Sequence, residues 1–498
     1  MEEYFLILDC GATRLRSIAV NPQGRILSFH SVPNQPCLQD ERGEYLIWDM
    51  EEIWAKMCRN TRKVVGELQG VVRGVAITTF GADGAPVAAD GTLTYPVISW
   101  QCHRTAPLAR EITAFFSPRE LFRITGYQVI PFNTFIKLLW LKKNVPSVLK
   151  EACCFMMMPG IINFFLTGEM TIDYTSASTT MMMDVAKRQW SEELLSFLEI
   201  PPRFFPRFVE AGEVIGTITS KASSEIGLPA GTPVISAGHD TQFAIIGSMA
   251  ERDEVVLSSG TWEIAALRIP YYLDSEQAFR TGMLVELDAE QGIWNPQMLM
   301  IAGGVVEWVR RNFFAEVKDQ ENIYELMIEQ AQSVSIGAQG VSFIPAFMPS
   351  GPTKPYGTQG TILGLGLTST RGHIVRATLE GLSFQLKQAV LALREAFHFE
   401  PKAVRVVGGG AKNVLWNQIR ADVLNLPIIT TSCEEATVLG ATLFAMVGTG
   451  HARTLDEAHR NVSVSTQVWE PSPHCERYHE LFERYQKLPL LLQEYYTS

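Results

Sequence analysis

Two β-hairpins with small-residue tips stand about half a chain apart, and this spacing constrains the fold more than any other feature of the sequence. In the first, strand Tyr4–Asp9 runs into Cys10-Gly11-Ala12-Thr13 and returns along Arg16–Val20. In the second, strand Glu254–Ser258 runs into Ser259-Gly260-Thr261-Trp262 and returns along Glu263–Arg268. One supersecondary unit repeated at that distance predicts a duplicated architecture. Length argues the same way, because 498 residues exceed what a single hydrophobic core usually serves. Two large domains with a cleft between them are therefore expected, and such clefts are favoured ligand sites.

The pattern between the hairpins is α/β. Strand Arg25–Ser31 precedes a helix that Asp49 caps, with Glu52 three residues later, and that runs to Gly66; strand Val71–Thr78 follows, giving a mixed sheet. A second helix covers Asn133–Asn144. The second half carries a proline- and glycine-rich loop at Pro345–Gly360 and a long helix from Thr370 to Phe397. Strand Ala403–Val407, Gly408-Gly409-Gly410, helix Val414–Leu424, strand Ile428–Thr431 and helix Glu434–Val447 follow in turn. The expected division is residues 1–247, 248–450 and an exposed helical tail over 451–498, to which no chemistry is assigned.

Bulk properties exclude several function classes. A formal charge of −11 argues against nonspecific binding to nucleic acid or to an anionic membrane, both of which need concentrated Lys and Arg. The eight cysteines form no C-x-x-C pair, which fits reduced thiols in a cytoplasm. Met1-Glu2-Glu3 opens neither a basic nor an apolar export segment. The longest apolar run, Cys153 to Leu166, is broken by Pro159-Gly160, is too short to span a bilayer, and reads as a buried helix.

Three small-residue turns follow strands: Asp9–Thr13, Ser258–Trp262 and Gly408–Asn413. Glycine lets backbone amides approach a ligand and hydroxyls add donors, so the three together suit the phosphates and ribose of a nucleotide, although each alone is also an ordinary tight turn. No Gly-Lys dipeptide exists, so there is no Walker A loop. Neither Gly11 nor Gly408 begins a G-x-G-x-x-G pattern. Asp240, in Ser236-Ala237-Gly238-His239-Asp240-Thr241-Gln242, follows a buried-looking strand where the cleft should lie. It suits a general base and equally a helix cap. Asp83, Trp100, His103 and Arg104 stand at strand ends, where hydroxyls of a sugar could be bonded and its apolar face covered. A surface turn at Asp83 and an ion pair at Arg104 account for those two as well.

Together these segments resemble the FGGY family of carbohydrate kinases, in the actin-like, hexokinase-like ATPase group. Asp9-Cys10-Gly11-Ala12-Thr13 resembles the first phosphate motif, Ser259-Gly260-Thr261-Trp262 the second, and Gly408-Gly409-Gly410-Ala411-Lys412-Asn413 the adenosine motif. Phe132–Asn144 resembles a signature helix. Ala12 departs from the threonine common there. The resemblance implies two actin-like, ribonuclease H-like domains, each a mixed five-stranded sheet flanked by helices. It also implies ATP and Mg²⁺ as cofactors and a small-molecule sugar as substrate, and it leaves a homodimer open. Asp240 is then the general base and a substrate contact, with Asp83, Trp100, Arg104 and Asn133 on the sugar. Gly11, Ala12, Thr13, Arg16, Gly260, Thr261, Gly409, Gly410 and Asn413 fall on ATP, and Asp9 on the metal. The reaction implied is phosphorylation of a ketose to its 1-phosphate; kinases of other ketoses or pentuloses, and a nucleotide-dependent regulatory protein on the same scaffold, are the alternatives.

Overall fold

The computed structural model describes residues 2–39, 43–317, 320, 322–348, 350–351 and 357–497. In the first lobe β1 (Glu2–Cys10), β2 (Arg14–Val20), β3 (Ile26–Pro33), β4 (Gly70–Thr79), β5 (Val214–Thr217) and β6 (Pro233–Ile235) form one sheet in the order β5-β6-β4-β1-β2-β3. β1 is parallel to β4 and β4 to β6, while β1–β2 and β2–β3 are antiparallel. The last seven residues of β1 are buried without alternation, as expected of a strand covered on both faces.

The second lobe repeats this plan. β7 (Glu254–Ser259), β8 (Trp262–Ala266), β9 (Leu284–Leu287), β10 (Trp294–Ile301), β11 (Ala403–Val407), β12 (Ile428–Thr431) and β13 (Thr466–Trp469) run in the order β9-β10-β8-β7-β11-β12-β13. Its middle five strands match β3-β2-β1-β4-β6 of the first sheet in order and in direction. The expected five-stranded sheets are thus present as cores, and the observed sheets have six and seven strands. The additions are antiparallel edge strands of four residues each, β5, β9 and β13, too short to show a period in sequence.

Helices follow the expected signals. α1 (Met50–Gly66) is capped by Asp49, whose side chain accepts from the amides of Glu51 and Glu52. α2 (Thr134–Asn144) starts after Asn133 and is buried over its first two turns. α3 (Asp240–Gly247) follows β6, and α4 (Gly303–Phe313) follows β10. α5 (Arg371–Phe397), α6 (Val414–Leu424) and α7 (Ala436–Gly448) complete the second lobe. The segment Cys153 to Leu166 is not one helix: Cys154–Met157 is a strand paired with Gly84–Val87, and the helix begins at Met158 with Pro159 in its first turn. Part of the loop Pro345–Gly360 lies outside the described residues.

The chain after Gly450 is not an exposed tail. β13 extends the second sheet, and in α8 (Cys475–Tyr485) Tyr478, Phe482 and Tyr485 are buried in the core formed with α5 and α6. The Tyr478 hydroxyl meets the buried Arg376–Glu380 pair of α5. Among the described residues, no helix is long and apolar enough to cross a membrane.

Two of the contacts between the lobes set how the halves sit around the site. α3 crosses α7 with backbone nearly in contact: a side-chain carbon at Gly247 would overlap the Ala436 carbonyl, and one at Gly440 would overlap that of Phe243. Elsewhere β9 docks on the first half, where the Val285 amide donates to the Gly126 carbonyl at 2.8 Å and Leu284 and Leu287 join the core around α2.

Candidate active site

Parallel strands end side by side at the lobe junction, which collects the motif residues from both halves. Asp9 near the end of β1 is opposite Thr78 of β4, and Thr79 bridges to His239 beyond β6. Asp9 is buried. Its Oδ1 accepts from Thr78 Oγ1 at 2.9 Å, and its Oδ2 accepts from Arg16 Nε at 2.9 Å. Arg16 spans the lobes, because its Nη1 also donates to Glu435 Oε2 at 2.5 Å, just before α7. The Gly11–Thr13 turn is tied back by Asn34, whose amide donates to Thr13 O at 2.8 Å and whose Nδ2 donates to Gly11 O at 2.8 Å. Both carbonyls are thereby engaged. Thr13 is exposed, and Gly11 and Ala12 are half-buried.

The second and third turns lie against each other. β7 and β11 pair in parallel up to Ser258 and Val407. Gly408 has φ +89°, and a side-chain carbon there would lie 2.7 Å from Ser259 O; one at Gly410 would overlap Ser259 Oγ. Only glycine allows that approach. Beneath them a buried ion pair, Arg420 with Glu263, holds Ser259 Oγ, which donates to Glu263 Oε1 at 2.7 Å and accepts from Arg420 Nη2 at 2.9 Å. Gly260 and Thr261 are exposed at the tip, backed by the start of α4: the amides of Gly303 and Gly304 donate to the carbonyls of Gly260 and Thr261 at 3.1 and 3.0 Å. Asn413 caps α6, accepting from the Trp416 amide at 3.0 Å. Gly408, Gly409, Lys412 and the loop Thr431–Glu435 border a cavity of about 400 Å³.

Asp240 is the first residue of α3, and its side chain is 32% exposed. The cap position belongs to His239, so Asp240 does not serve as the helix cap. Burial raises the Asp240 pKa, the neighbouring His239 opposes this, Asp9 adds to it, and the net direction is upward. Asp9 and Asp240 lie near one another: both raise the thiol of buried Cys10, after burial itself, and Asp9 acts on Asp240 directly. A carboxylate of raised basicity beside a second carboxylate can accept a proton from an alcohol next to a phosphate-binding turn.

Two of the residues expected on the sugar are structural struts. Asp83 is fully buried: its Oδ1 pairs with Lys137 of α2, and its Oδ2 accepts from Trp48 Nε1 at 2.6 Å and from the Trp100 amide at 3.0 Å. Its oxygens are taken by partners that desolvation makes obligatory, so its part is to seat Trp100 rather than to bond a hydroxyl. Arg104 is buried between Tyr45 and Trp140, 4.1 and 5.1 Å from their ring centroids, and donates to Gln39 Oε1 at 2.8 Å. Among the described residues it makes no ion pair, and its guanidinium also donates to Tyr95 Oη at 3.1 Å and to Leu46 O at 3.4 Å. His103 is exposed on a short 3₁₀ turn. Trp100 stays half-buried against Phe132. Asn133 donates through Nδ2 to Thr179 O at 2.7 Å, while its buried Oδ1 has no partner among the described residues.

Several residues at the junction carry no motif signal in sequence. Asn34, Gly303, Gly304, Glu286 and Tyr127 are of this kind; a glycine pair opening a helix was the one local cue, for Gly303 and Gly304. Among the described residues no group of three or more His, Cys, Asp or Glu could hold a metal alone. The donor set fits Mg²⁺ carried mainly by nucleotide phosphates and water, with Asp9 as a single protein carboxylate.

Known proteins match this chain throughout. Residues 4–247 match the FGGY family of carbohydrate kinases, N-terminal domain, and residues 255–449 match its C-terminal domain. An L-fuculokinase of Escherichia coli (strain K12) is 41% identical over 471 residues, 94% of this chain and 98% of the relative. An L-fuculokinase of Haemophilus influenzae is 36% identical over 94% of this chain and 98% of the relative. The crystal structure of xylulose kinase from Rhodospirillum rubrum superposes with a TM-score of 0.88 at 23% identity, covering 99% of this chain and 100% of that one. Plasmodium falciparum glycerol kinase with ADP gives 0.87 at 20% identity, covering 98% of this chain and 97% of that one. With two repeated lobes, phosphate-type turns from each at one junction and both domain matches in chain order, the protein belongs to the FGGY family of carbohydrate kinases.

Proposed function

We propose that the protein transfers the γ-phosphoryl group of ATP to the terminal hydroxyl of L-fuculose, giving L-fuculose 1-phosphate and ADP, with Asp240 as general base. The observation that carries this reading is Asp240 at the head of α3, close enough to Asp9 to feel its charge and raised in basicity there. Sequence identity of 41% to an L-fuculokinase over nearly the whole chain favours this ketose. So do the segments Thr78–Gly84, Pro96–Trp100, Ser236–Phe243 and Leu257–Glu263, which resemble that branch.

Adenosine lies against Gly409 and Gly410, with its phosphates between the Gly11–Thr13 and Gly260–Thr261 turns. The ketose lies on the first-lobe side, with Trp100 over its apolar face and the free Oδ1 of Asn133 accepting one hydroxyl. As the new P–O bond forms, Asp240 takes the hydroxyl proton, and the β–γ bond breaks to release ADP. Because phosphoryl transfer is loose, alignment and charge neutralisation do most of the work, and the base contributes about 10²–10⁴-fold. Asp9 would hold Mg²⁺ together with the nucleotide, and the ion would supply charge neutralisation on the phosphates. Closure of the lobes keeps water from the phosphoryl group. The eight cysteines are all free, which supports a reducing, cytoplasmic workplace.

The test is ADP release measured with L-fuculose, L-rhamnulose, L-xylulose, D-ribulose, D-xylulose and glycerol, for wild type and Asp240→Asn. L-fuculose should give the highest kcat/KM, and Asp240→Asn should lose most turnover while binding ATP normally. A higher kcat/KM with a pentulose would shift the substrate, and normal turnover in Asp240→Asn would remove the base.

A further inference from the structure

His239 lies between carboxylates of the two lobes. Its Nε2 is 3.5 Å from Asp240 Oδ1, and its Nδ1 is 3.4 Å from Glu286 Oε2 on β9 of the second lobe. Glu286 is 3% exposed and firmly placed, accepting from the Tyr127 hydroxyl at Oε1 and from Gln242 Nε2 at Oε2, the latter at 2.5 Å. Gln242 belongs to α3, two residues after Asp240, and Tyr127 directly follows Gly126, on which β9 docks. On the other side the His239 amide donates to Thr175 Oγ1 at 2.9 Å, and that hydroxyl donates to Asp173 Oδ1 at 2.5 Å. Burying a carboxylate is costly unless it is paired, and nothing in the phosphoryl-transfer scheme above uses Glu286.

We propose that Glu286 is a positioning residue for phosphoryl transfer: by holding one edge of the His239 ring it fixes the other edge against Asp240, tying the base to the seating of β9. This rests on Asp240 being the base. The charge state agrees with the geometry. Burial pushes the His239 ring down, but Glu286, Asp240 and Asp173, which all face it, outweigh burial and lift its pKa to about 9. The ring is therefore a cation at neutral pH, with each nitrogen facing a carboxylate at 3.4–3.5 Å in ion contacts without hydrogen-bond geometry, and its charge opposes the burial and the Asp9 charge that raise the Asp240 pKa.

The experiment compares wild type, Glu286→Gln and Tyr127→Phe for kcat, KM and the titration of the labelled His239 ring by NMR, with thermal melting as the check on folding. Glu286→Gln should lower kcat by about 10- to 100-fold with the ATP KM little changed, as expected for a misplaced reacting group. The His239 titration should move down from about 9. Tyr127→Phe leaves the carboxylate in place and should move both readouts in the same direction by less. If Glu286→Gln does not fold, Tyr127→Phe decides. Unchanged kcat, or lowered kcat with an unmoved His239 titration, would overturn the proposal. Full activity in Asp240→Asn would instead remove the base reading, whereas an inactive Asp240→Asn beside an unaffected Glu286→Gln would overturn this inference alone.

Discussion

Substituting Gly440→Ala tests whether the lobes are held by the helix crossing. The added carbon would overlap the Phe243 carbonyl oxygen and lie 2.8 Å from its carbonyl carbon and 3.1 Å from the Gly247 amide nitrogen. All three obstacles are backbone, so no rotamer change relieves them. Carbon atoms pack best at roughly 3.5–4.0 Å, so α3 and α7 must separate by about an ångström. Overpacking of this kind costs about 1–3 kcal/mol. The same shift moves Asp240 at the head of α3 relative to Glu435 before α7, and a misplacement of about 1 Å at a reacting group can cost about 10²-fold in rate. Denaturant unfolding and steady-state kinetics measure both. Gly66→Ala, at the end of α1 with nothing within 4 Å of the new carbon, is the control; it should be neutral or stabilise by up to about 1 kcal/mol. If Gly440→Ala keeps wild-type stability and kcat, the crossing does not set the position of Asp240 and the reasoning fails.

Two further outcomes follow from buried charge. Glu263→Gln leaves Arg420 buried without its carboxylate beneath the second turn, and unfolding in urea should show a loss of about 3–5 kcal/mol; a loss under 1 kcal/mol would mean that Ser259, Asn417 and the Trp416 ring satisfy Arg420 without it. His239 has its folded pKa raised from the ordinary 6.5 to about 9, so between those values the folded chain holds more protons than the unfolded one. Its stabilising contribution is complete below pH 6.5 and is lost as pH rises through 9. Stability measured across that window should fall in wild type and fall less in His239→Gln; equal slopes would contradict the assignment.

Local features were legible in the sequence, and long-range ones were not. Asp49 caps α1 and the two hairpins form where their tips indicate, because cap and turn chemistry is settled within a few residues. Asp83 misled because its partner, Lys137, lies 54 residues on and resembles any lysine on a helix. Arg104 misled because Tyr45 and Trp140 reach it from other elements. Glu286 sits in the strand Leu-Val-Glu-Leu, where a lone acid suggests a solvent-facing position; its burial comes from β9 docking on the first half. Thr466–Trp469 is too brief for alternation to reveal an edge strand. The positions of Asp9 and Asp240 at the junction could be read in the sequence because Asp9 stands at the end of a strand and Asp240 soon after one.

The crossing of α3 and α7 has a reciprocity that reaches beyond packing. Each helix follows the last core strand of its own lobe, and each brings a glycine to the other's backbone: Gly247 meets Ala436 and Gly440, while Gly440 meets Phe243 and Gly247. A self-complementary patch of this sort is what twofold-symmetric partners present to one another. Here both partners belong to a single polypeptide, so mass action cannot dilute them apart, and this junction survives at any protein concentration at which the chain stays folded.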